Sequence, residues 1–278
     1  METLLLENAH LRMRITPQGG AVQSLCSLRH QRPILREAPG ESALFPMLPL
    51  ANRVAGNRFK LLGREITLPH HQADEQFFLH GDGWLKPWTV ISQTSDCCVL
   101  QRQSQHACGY DYLAELRYQL RDNTLHVELH LTHRGELPML YGCGFHPWFY
   151  FDATSQVQFQ ASGYWPEGEL HLPLDWQGEL PAAVDFSRPQ YGTDDWLNVG
   201  YSGWNGCAVI TNDVMRVTLS AQTPWLMLFR MSGQPFLCLE PQSHPVNAHR
   251  QPGQPGLLML QKGESARFAM TIMATSAA

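Results

Sequence analysis

Apolar and polar residues alternate along two neighbouring segments of the chain, which is the pattern of half-buried β-strands. Every second residue is apolar in residues 112–120 and again in residues 125–131, and a turn-like segment, residues 121–124, separates them. These segments predict an antiparallel hairpin with one face in water. His126 and His130 fall on the polar face, so we expect them to be solvated strand residues, although a metal site could use their spacing.

Shorter alternating or apolar runs predict further strands, whereas no window of a dozen residues shows the i, i+3, i+4 apolar repeat of a helix. We therefore predict an all-β fold with little helix. The loop at residues 250–256 has strand patterns on both sides, which favours one domain over residues 1–278. The further predicted strands are residues 11–16, 22–28, 214–220, 226–231, 236–240 and 266–273.

Composition and charge narrow the range of functions. The net charge of -5 argues against a nucleic-acid or membrane-surface partner, since either would favour a basic patch. The N-terminus lacks the basic start and long apolar run of a signal peptide, and no stretch is long enough to cross a membrane. The 7 cysteines are scattered without a C-x-x-C pair, which predicts free thiols in a cytoplasmic protein.

The segment 141–149 carries the first candidate for chemistry, His146. It reads Tyr-Gly-Cys-Gly-Phe-His-Pro-Trp-Phe, so one titratable side chain stands among apolar and aromatic neighbours. Pro147 favours an extended conformation for His146, and the two glycines let the backbone bend or approach a neighbour closely. We expect His146 at the end of a strand. Such a histidine is either a satisfied core residue or a proton-transfer group.

Three further polar positions also follow apolar runs. Glu240 ends a strand pattern and precedes a proline, so it either points to water or is buried with the raised pKa of a general base. Arg53 offers a rigid fork of donors that either forms a surface salt bridge or, with Asn52, binds hydroxyl or carboxylate oxygens. His80 ends another apolar run and opens a glycine-containing loop.

These polar positions share a setting, because each ends a strand-like segment beside aromatic residues and Gly or Pro. Polar side chains beside aromatic rings are what a sugar site needs, since the polar groups bind hydroxyls and a ring packs against the apolar sugar face. Trp148 is the aromatic residue that we favour for stacking, and core packing is its alternative role. The sequence therefore indicates a small monosaccharide as the partner.

At these positions the chain resembles the aldose 1-epimerase (galactose mutarotase) family. The resemblance rests on Asn52-Arg53, Leu79-His80-Gly81, the Gly-Phe-His-Pro-Trp-Phe segment at 144–149, and Glu240-Pro241, which follow one another in the family's order. The Gly-Phe-His-Pro segment and the late Glu-Pro are its specific parts. The resemblance implies the family's fold, a large antiparallel β-sandwich of the galactose mutarotase-like supersandwich type.

The family interconverts the α and β anomers of a free aldose, and the resemblance implies the same reaction here, with no cofactor and no metal. It implies that Glu240 is the general base at the anomeric hydroxyl and that His146 is the general acid at the ring oxygen. Arg53 and His80 would hold the sugar. The family's sugar-binding aspartate is matched best by Asp194; Asp195 is the alternative at this place, and either residue is alternatively a surface-loop acid.

Three other functions fit the sequence less well. A hexose-6-phosphate epimerase would favour clustered Arg or Lys, whereas only Arg53 and Arg58 lie close in sequence. A non-catalytic sugar-binding or sensor protein is disfavoured because both acid/base candidates are present. A metal hydrolase would need a spaced ligand set, which the adjacent His70-His71 does not supply. The oligomeric state is expected to be a monomer or a homodimer.

Overall fold

The computed structural model describes residues 3–37, 40–192 and 195–277. Its helical content in these ranges is three single 3-10 turns, Ala55–Asn57, Glu169–His171 and Ala248–Arg250, and everything else that is regular is strand. The prediction of an all-β fold with little helix is confirmed. None of the described helical segments has the length and apolarity that a membrane crossing requires.

The strands are numbered along the chain. They are β1 (Leu4–Glu7), β2 (Leu11–Thr16), β3 (Ala21–Ser27), β4 (Arg32–Pro33), β5 (Leu44–Met47), β6 (Arg58–Leu61), β7 (Arg64–Thr67), β8 (Thr89–Gln93), β9 (Cys97–Gln105), β10 (Asp111–Arg121), β11 (Thr124–His133), β12 (Met139–Tyr141), β13 (Gly144–Tyr150), β14 (Gln156–Phe159), β15 (Gly163–Trp165), β16 (Gln190–Tyr191), β17 (Leu197–Ser202), β18 (Cys207–Thr211), β19 (Met215–Ala221), β20 (Trp225–Arg230), β21 (Phe236–Gln242), β22 (Leu258–Leu260) and β23 (Ser265–Ser276).

Two large antiparallel sheets contain most of these strands. The first, of ten strands, has the order β1-β2-β3-β5-β13-β21-β20-β17-β15, with β4 paired to β3. The second, of nine strands, has the order β16-β14-β18-β19-β23-β11-β10-β9-β8. Two small two-stranded sheets, β12 with β22 and the hairpin β6–β7, lie outside them. The predicted hairpin is β10–β11. The ends of the other predicted strands lie within two residues of the observed ends, except that β23 extends three residues further at its C-terminal end.

The inner faces of the two sheets share one continuous hydrophobic core, which makes the fold a sandwich. Phe145 of β13 and Phe268 of β23 meet across it, with ring centroids 5.6 Å apart. The buried Tyr118 of β10 reaches the other sheet and donates a hydrogen bond to the Gly20 carbonyl at 2.6 Å. All seven cysteines are free thiols, as predicted.

The expected position of His146 at a strand end is corrected by the structure. His146 is the third residue of β13, an interior strand, and pairs with Phe45 of β5 on one side. On the other side, the pairing of β13 with β21 is interrupted between Gly144 and Trp148. Pro147 lies in this interruption, where its missing N–H breaks no hydrogen bond of the ladder. An interior strand therefore tolerates the proline.

Candidate active site

A cavity of about 190 Å³ opens on the ten-stranded sheet. Its volume is below the ~300–1,000 Å³ of pockets that take drug-sized ligands, so it suits one small polar molecule. A larger groove of about 660 Å³ lies between residues 204–206, 220–223 and 269–271, and none of its described lining residues is acidic, basic or histidine. The small cavity is lined by Asn52, Arg53, Leu79, His80, His146, His171, Trp196, Asn198, Phe229 and Glu240.

Strand register places the two acid/base candidates side by side. Gly144 of β13 pairs with Gln242 of β21 and Trp148 pairs with Cys238, so the register is the same on both sides of the interruption. This common register sets His146 beside Glu240. The Nε2 atom of His146 is 3.1 Å from Oε1 of Glu240. Both side chains are buried, with 6% of His146 and 2% of Glu240 exposed. Residues distant in sequence thus form one contact.

Burial moves the pKa values of this pair in opposite directions, because a low dielectric disfavours the charged form of each group. It raises the pKa of Glu240 to about 8, although a hydrogen bond from Gln242 and the charge of Arg53 oppose the rise. It lowers the pKa of His146 to about 3, assisted by the charge of Arg36. Near neutral pH the pair therefore holds one proton, on Glu240, and its contact is a neutral hydrogen bond rather than an ion pair.

Aromatic rings clamp the His146 imidazole from both sides. Phe45 stacks on it at a centroid distance of 4.7 Å and Trp148 at 5.0 Å. The Arg36 guanidinium lies over the Trp148 ring, 3.6 Å from its centroid. Trp148 is not among the residues that line the cavity, so the structure brings it to His146 and not to the space where a sugar would lie. Nδ1 of His146 is buried and has no hydrogen-bond partner among the described residues.

Asn52 and His80 hold each other through the backbone. The Asn52 N–H donates to Nδ1 of His80 at 3.0 Å, and the His80 N–H donates to the Asn52 carbonyl at 3.0 Å. Burial, with the nearby His146, holds the pKa of His80 well below its usual value, so the ring is neutral. Because Nδ1 accepts, the proton is on Nε2. His80 is therefore a fixed donor in the cavity wall.

Arg53 brings the permanent positive charge of the cavity lining. Nη2 lies 3.7 Å from Oδ2 of Asp74 and Nη1 lies 3.4 Å from Oδ1 of Asn52. In the part of the chain that the structure describes, the buried Nε has no hydrogen-bond partner. Burial lowers the pKa of Arg53, and Asp74 and Glu240 oppose that shift. The guanidinium is only loosely paired, so it retains donors for a ligand.

The two candidates for the sugar-binding aspartate are adjacent in sequence. Asp194 lies outside the described residues. Asp195, the alternative, is exposed, and its carbonyl oxygen accepts a hydrogen bond from Nε of Arg230 at 3.0 Å. Asp195 is not among the cavity-lining residues.

Four functional candidates of the cavity escaped the sequence analysis: His171, Trp196, Asn198 and Phe229. Trp196 and Asn198 do carry a weak signal, because residues two apart on an extended chain share a face. His171 belongs to an irregular segment whose sequence shows no periodic pattern, and Phe229 lies in an apolar run that reads as ordinary core. Contacts between distant segments bring them together.

One group of side chains at the site has the chemistry of metal ligands. The ligand atoms of His146, Cys238 and Glu240 lie within 4.8 Å of one another. Burial and the nearby Glu240 hold the pKa of the Cys238 thiol well above its usual value, so it is protonated at neutral pH. The thiolate, not the thiol, is the metal ligand, so this group is poorly prepared to hold a cation.

Comparison with known proteins agrees with this geometry. The aldose 1-epimerase family profile matches residues 2–273. The uncharacterized protein YphB of Escherichia coli K12 is 33% identical over 291 aligned positions, which cover 98% of each chain. A crystal structure described as that of a candidate aldose 1-epimerase from Escherichia coli K12 superposes with a TM-score of 0.94 at 32% identity, over 99% of each chain.

More distant structures show the same fold. The galactose 1-epimerase of Lactobacillus acidophilus NCFM has a TM-score of 0.82 at 18% identity, over 99% of this chain and 95% of that one. The GalM/aldose epimerase homologue of C. elegans has a TM-score of 0.85 at 14% identity, over 100% and 99%. The predicted galactose mutarotase-like sandwich is thereby confirmed. With the profile match over nearly the whole length, these findings show that the chain belongs to the aldose 1-epimerase family.

Proposed function

We propose that the protein is an aldose 1-epimerase that interconverts the α and β anomers of a free aldose. The observation that carries this proposal is the 3.1 Å contact between Glu240 and His146 inside a cavity of about 190 Å³. Around this pair, Arg53, His80 and Asn198 offer donors of the kind that sugar hydroxyls accept. Family membership supports the same class of reaction.

The proposed reaction moves only protons. Glu240, as a carboxylate, takes the proton of the anomeric hydroxyl, while His146, as an imidazolium, gives a proton to the ring oxygen and the C1–O5 bond breaks. Rotation about C1–C2 presents the other face of the aldehyde. On closure the ring oxygen returns its proton to His146 and Glu240 returns its proton to O1, so both residues end as they began.

The form that starts this cycle differs from the form that the pKa values favour at neutral pH, in which Glu240 holds the proton. One proton transfer from Glu240 to His146 along the 3.1 Å contact converts the favoured form into the form that starts the cycle. The sugar would promote the transfer, because a hydrogen bond from its anomeric hydroxyl stabilises the carboxylate, and the charge of Arg53 acts in the same direction.

A free aldose fits these residues better than a hexose 6-phosphate. A phosphate dianion favours several converging guanidinium or ammonium groups. Arg53 is the one arginine among the described residues that line the cavity, no lysine lines it, and Asp74 lies beside that arginine. We therefore propose a neutral monosaccharide as the substrate.

The test is the rate of mutarotation of freshly dissolved α-anomers, followed by polarimetry or NMR for glucose, galactose and related aldoses. Glu240→Gln and His146→Asn are each expected to lower kcat about 10²–10⁴-fold. Glu65→Gln and His130→Asn, which make the same changes at positions outside the cavity, should keep the wild-type rate. Aldose binding without any acceleration by the wild-type protein would instead identify a sugar sensor.

A further inference from the structure

A second wall of the cavity is organised around Glu167, which the proposed reaction does not use. Oε2 of Glu167 accepts a hydrogen bond from Nε1 of Trp196 at 2.7 Å. Oε1 accepts from Nδ2 of Asn198 at 2.5 Å and contacts Nδ1 of His171 at 2.5 Å. One carboxylate thus fixes three of the residues that line the cavity.

The carboxylate of Glu167 is ionised. Its partial burial raises the pKa, but the hydrogen bonds from Asn198, His171 and Trp196 outweigh burial and hold the pKa below its usual value. The negative charge of Glu167 also acts on Arg53, where it favours the ionised form and opposes the lowering of the Arg53 pKa by burial. The wall therefore carries a negative charge opposite the cavity's arginine.

Trp196 is a large aromatic residue that is both exposed and held in place. Its side chain is 46% exposed, yet the hydrogen bond to Glu167 and an edge-to-face contact with Phe229, at a centroid distance of 5.2 Å, fix the indole. The His171 ring packs beside it at 5.8 Å. A large aromatic surface held rigid at a cavity mouth is a platform that a ligand covers at little entropic cost.

The sheet sets the distance between this wall and the acid/base pair. Asn198 of β17 lies opposite Phe229 of β20, which lies opposite Cys238 of β21, two residues from Glu240. Two strand spacings and this two-residue offset together amount to about 12 Å. One sugar ring can therefore contact the pair at one end and the wall at the other.

We propose that Glu167 is a positioning residue that fixes Trp196 and His171 as the wall for the part of the sugar remote from C1, and that its charge disfavours anionic sugars. This inference rests on the proposed function. It assigns recognition of the distal hydroxyls and of substrate charge to Glu167 and the three side chains that it holds, apart from the acid/base pair.

The test compares Trp196→Ala with Trp176→Ala. Trp176 is a matched control because it is 51% exposed, donates through Nε1 to Oγ of Ser202 at 2.7 Å, and does not line the cavity. Binding of 1,5-anhydroglucitol and 1,5-anhydrogalactitol, which lack the anomeric hydroxyl and cannot react, is measured by calorimetry. Mutarotation of the matching aldoses gives kcat and KM.

Trp196→Ala is expected to raise Kd and KM about tenfold with kcat changed less than twofold, whereas Trp176→Ala leaves all three unchanged. Glu167→Gln should raise KM for neutral aldoses and raise kcat/KM for a hexose 6-phosphate, relative to the neutral sugar, about fivefold. Glu167→Ala should raise KM further.

Equal effects of the two tryptophan variants, an unchanged Kd in Trp196→Ala, or an unchanged preference in Glu167→Gln would overturn the inference. Failure of the wild-type protein to bind either anhydroalditol would overturn it as well. If the wild-type protein binds these sugars through Trp196 but does not accelerate mutarotation, the wall is supported and the proposed function fails.

Discussion

Burial, rather than residue type, decides the chemistry of the acid/base pair. Glutamate and histidine in water would both have pKa values on the acid side of neutrality, and the glutamate would be ionised. In the protein the order of their proton affinities is reversed, because Glu240 and His146 are desolvated together. Sequence reasoning identified both residues and a raised glutamate pKa, but it could not show that they touch or which one holds the proton.

The pair predicts a pH profile. Ring opening needs one proton on the pair, and that proton is lost as pH rises through about 8. A second proton, which would block the base, is added only towards pH 3. We expect kcat/KM to be level from about pH 5 to 7 and to fall above about 8. A rise through pH 6.5, the mark of an ordinary histidine, would contradict this assignment.

The same burial predicts a stability gain when the acid is removed. The folded pKa of Glu240 lies above its unfolded value, so the folded protein binds the proton more tightly and loses stability as pH rises towards 8. His146 contributes little above pH 6.5, because there it is neutral folded and mostly neutral unfolded. Between pH 6.5 and 8 the free energy of unfolding of the wild-type protein should fall by about 1–2 kcal/mol, whereas that of Glu240→Gln should not show this fall. Thermal unfolding of both proteins across this range measures the difference, and parallel curves would refute it.

At the level of elements, the site depends on where strands and loops touch. The β10–β11 hairpin and the strand-rich fold were predictable, because apolar alternation reports directly which face is buried. The pairing of β13 with β21 was not, because register between distant strands leaves no local pattern. For the same reason the Glu167 wall was missed: its members come from loops and from the start of β17, where contacts are purely tertiary.

Gly142 packs closely against His244, which contacts the segment that carries Asn52 and Arg53. A Cβ atom at Gly142 would lie 2.1 Å from Cδ2 of the buried His244. Nε2 of His244 accepts the Ala51 N–H at 3.1 Å, so displacing the ring disturbs the chain beside Asn52. We expect Gly142→Ala to destabilise the protein by about 1–3 kcal/mol and to raise KM.

Gly200→Ala is the control, since its nearest neighbours would be at 3.7 Å, an ordinary contact. Urea unfolding and steady-state kinetics give the two readouts. Equal behaviour of the two variants would show that His244 moves without consequence for the site.

Across the whole molecule, a buried polar network joins the His80 loop to the second sheet. Oδ2 of Asp82 accepts hydrogen bonds from Arg102 and Ser104 of β9, both at 2.6 Å, and Oδ1 accepts from Tyr112 of β10 at 2.5 Å. Hydrogen bonds from His106 and these neighbours outweigh burial and hold the pKa of Asp82 well below its usual value.

The single domain predicted over residues 1–278 stays a prediction.

Asp82→Asn should therefore leave the Arg102 guanidinium, whose side chain is 12% exposed, without its carboxylate partner. Breaking one side of such a pair costs about 3–5 kcal/mol, so we expect a large loss of stability in urea unfolding. KM should rise too, because His80 is two residues away. Asp175→Asn, at an exposed position, is the control. A loss below 1 kcal/mol would show that the network relaxes around the amide.

The lateral contact of His146 with Glu240 bears on how such a protein diversifies. Since pairing of two adjacent strands fixes the two reactive groups, the long stretch of chain between them contributes nothing to their spacing. That stretch includes Glu167, Trp196 and Asn198. Insertions and exchanges there can change which sugar is accepted while the proton-transfer step stays intact. In this architecture the reaction can therefore be conserved during evolution while the substrate specificity changes.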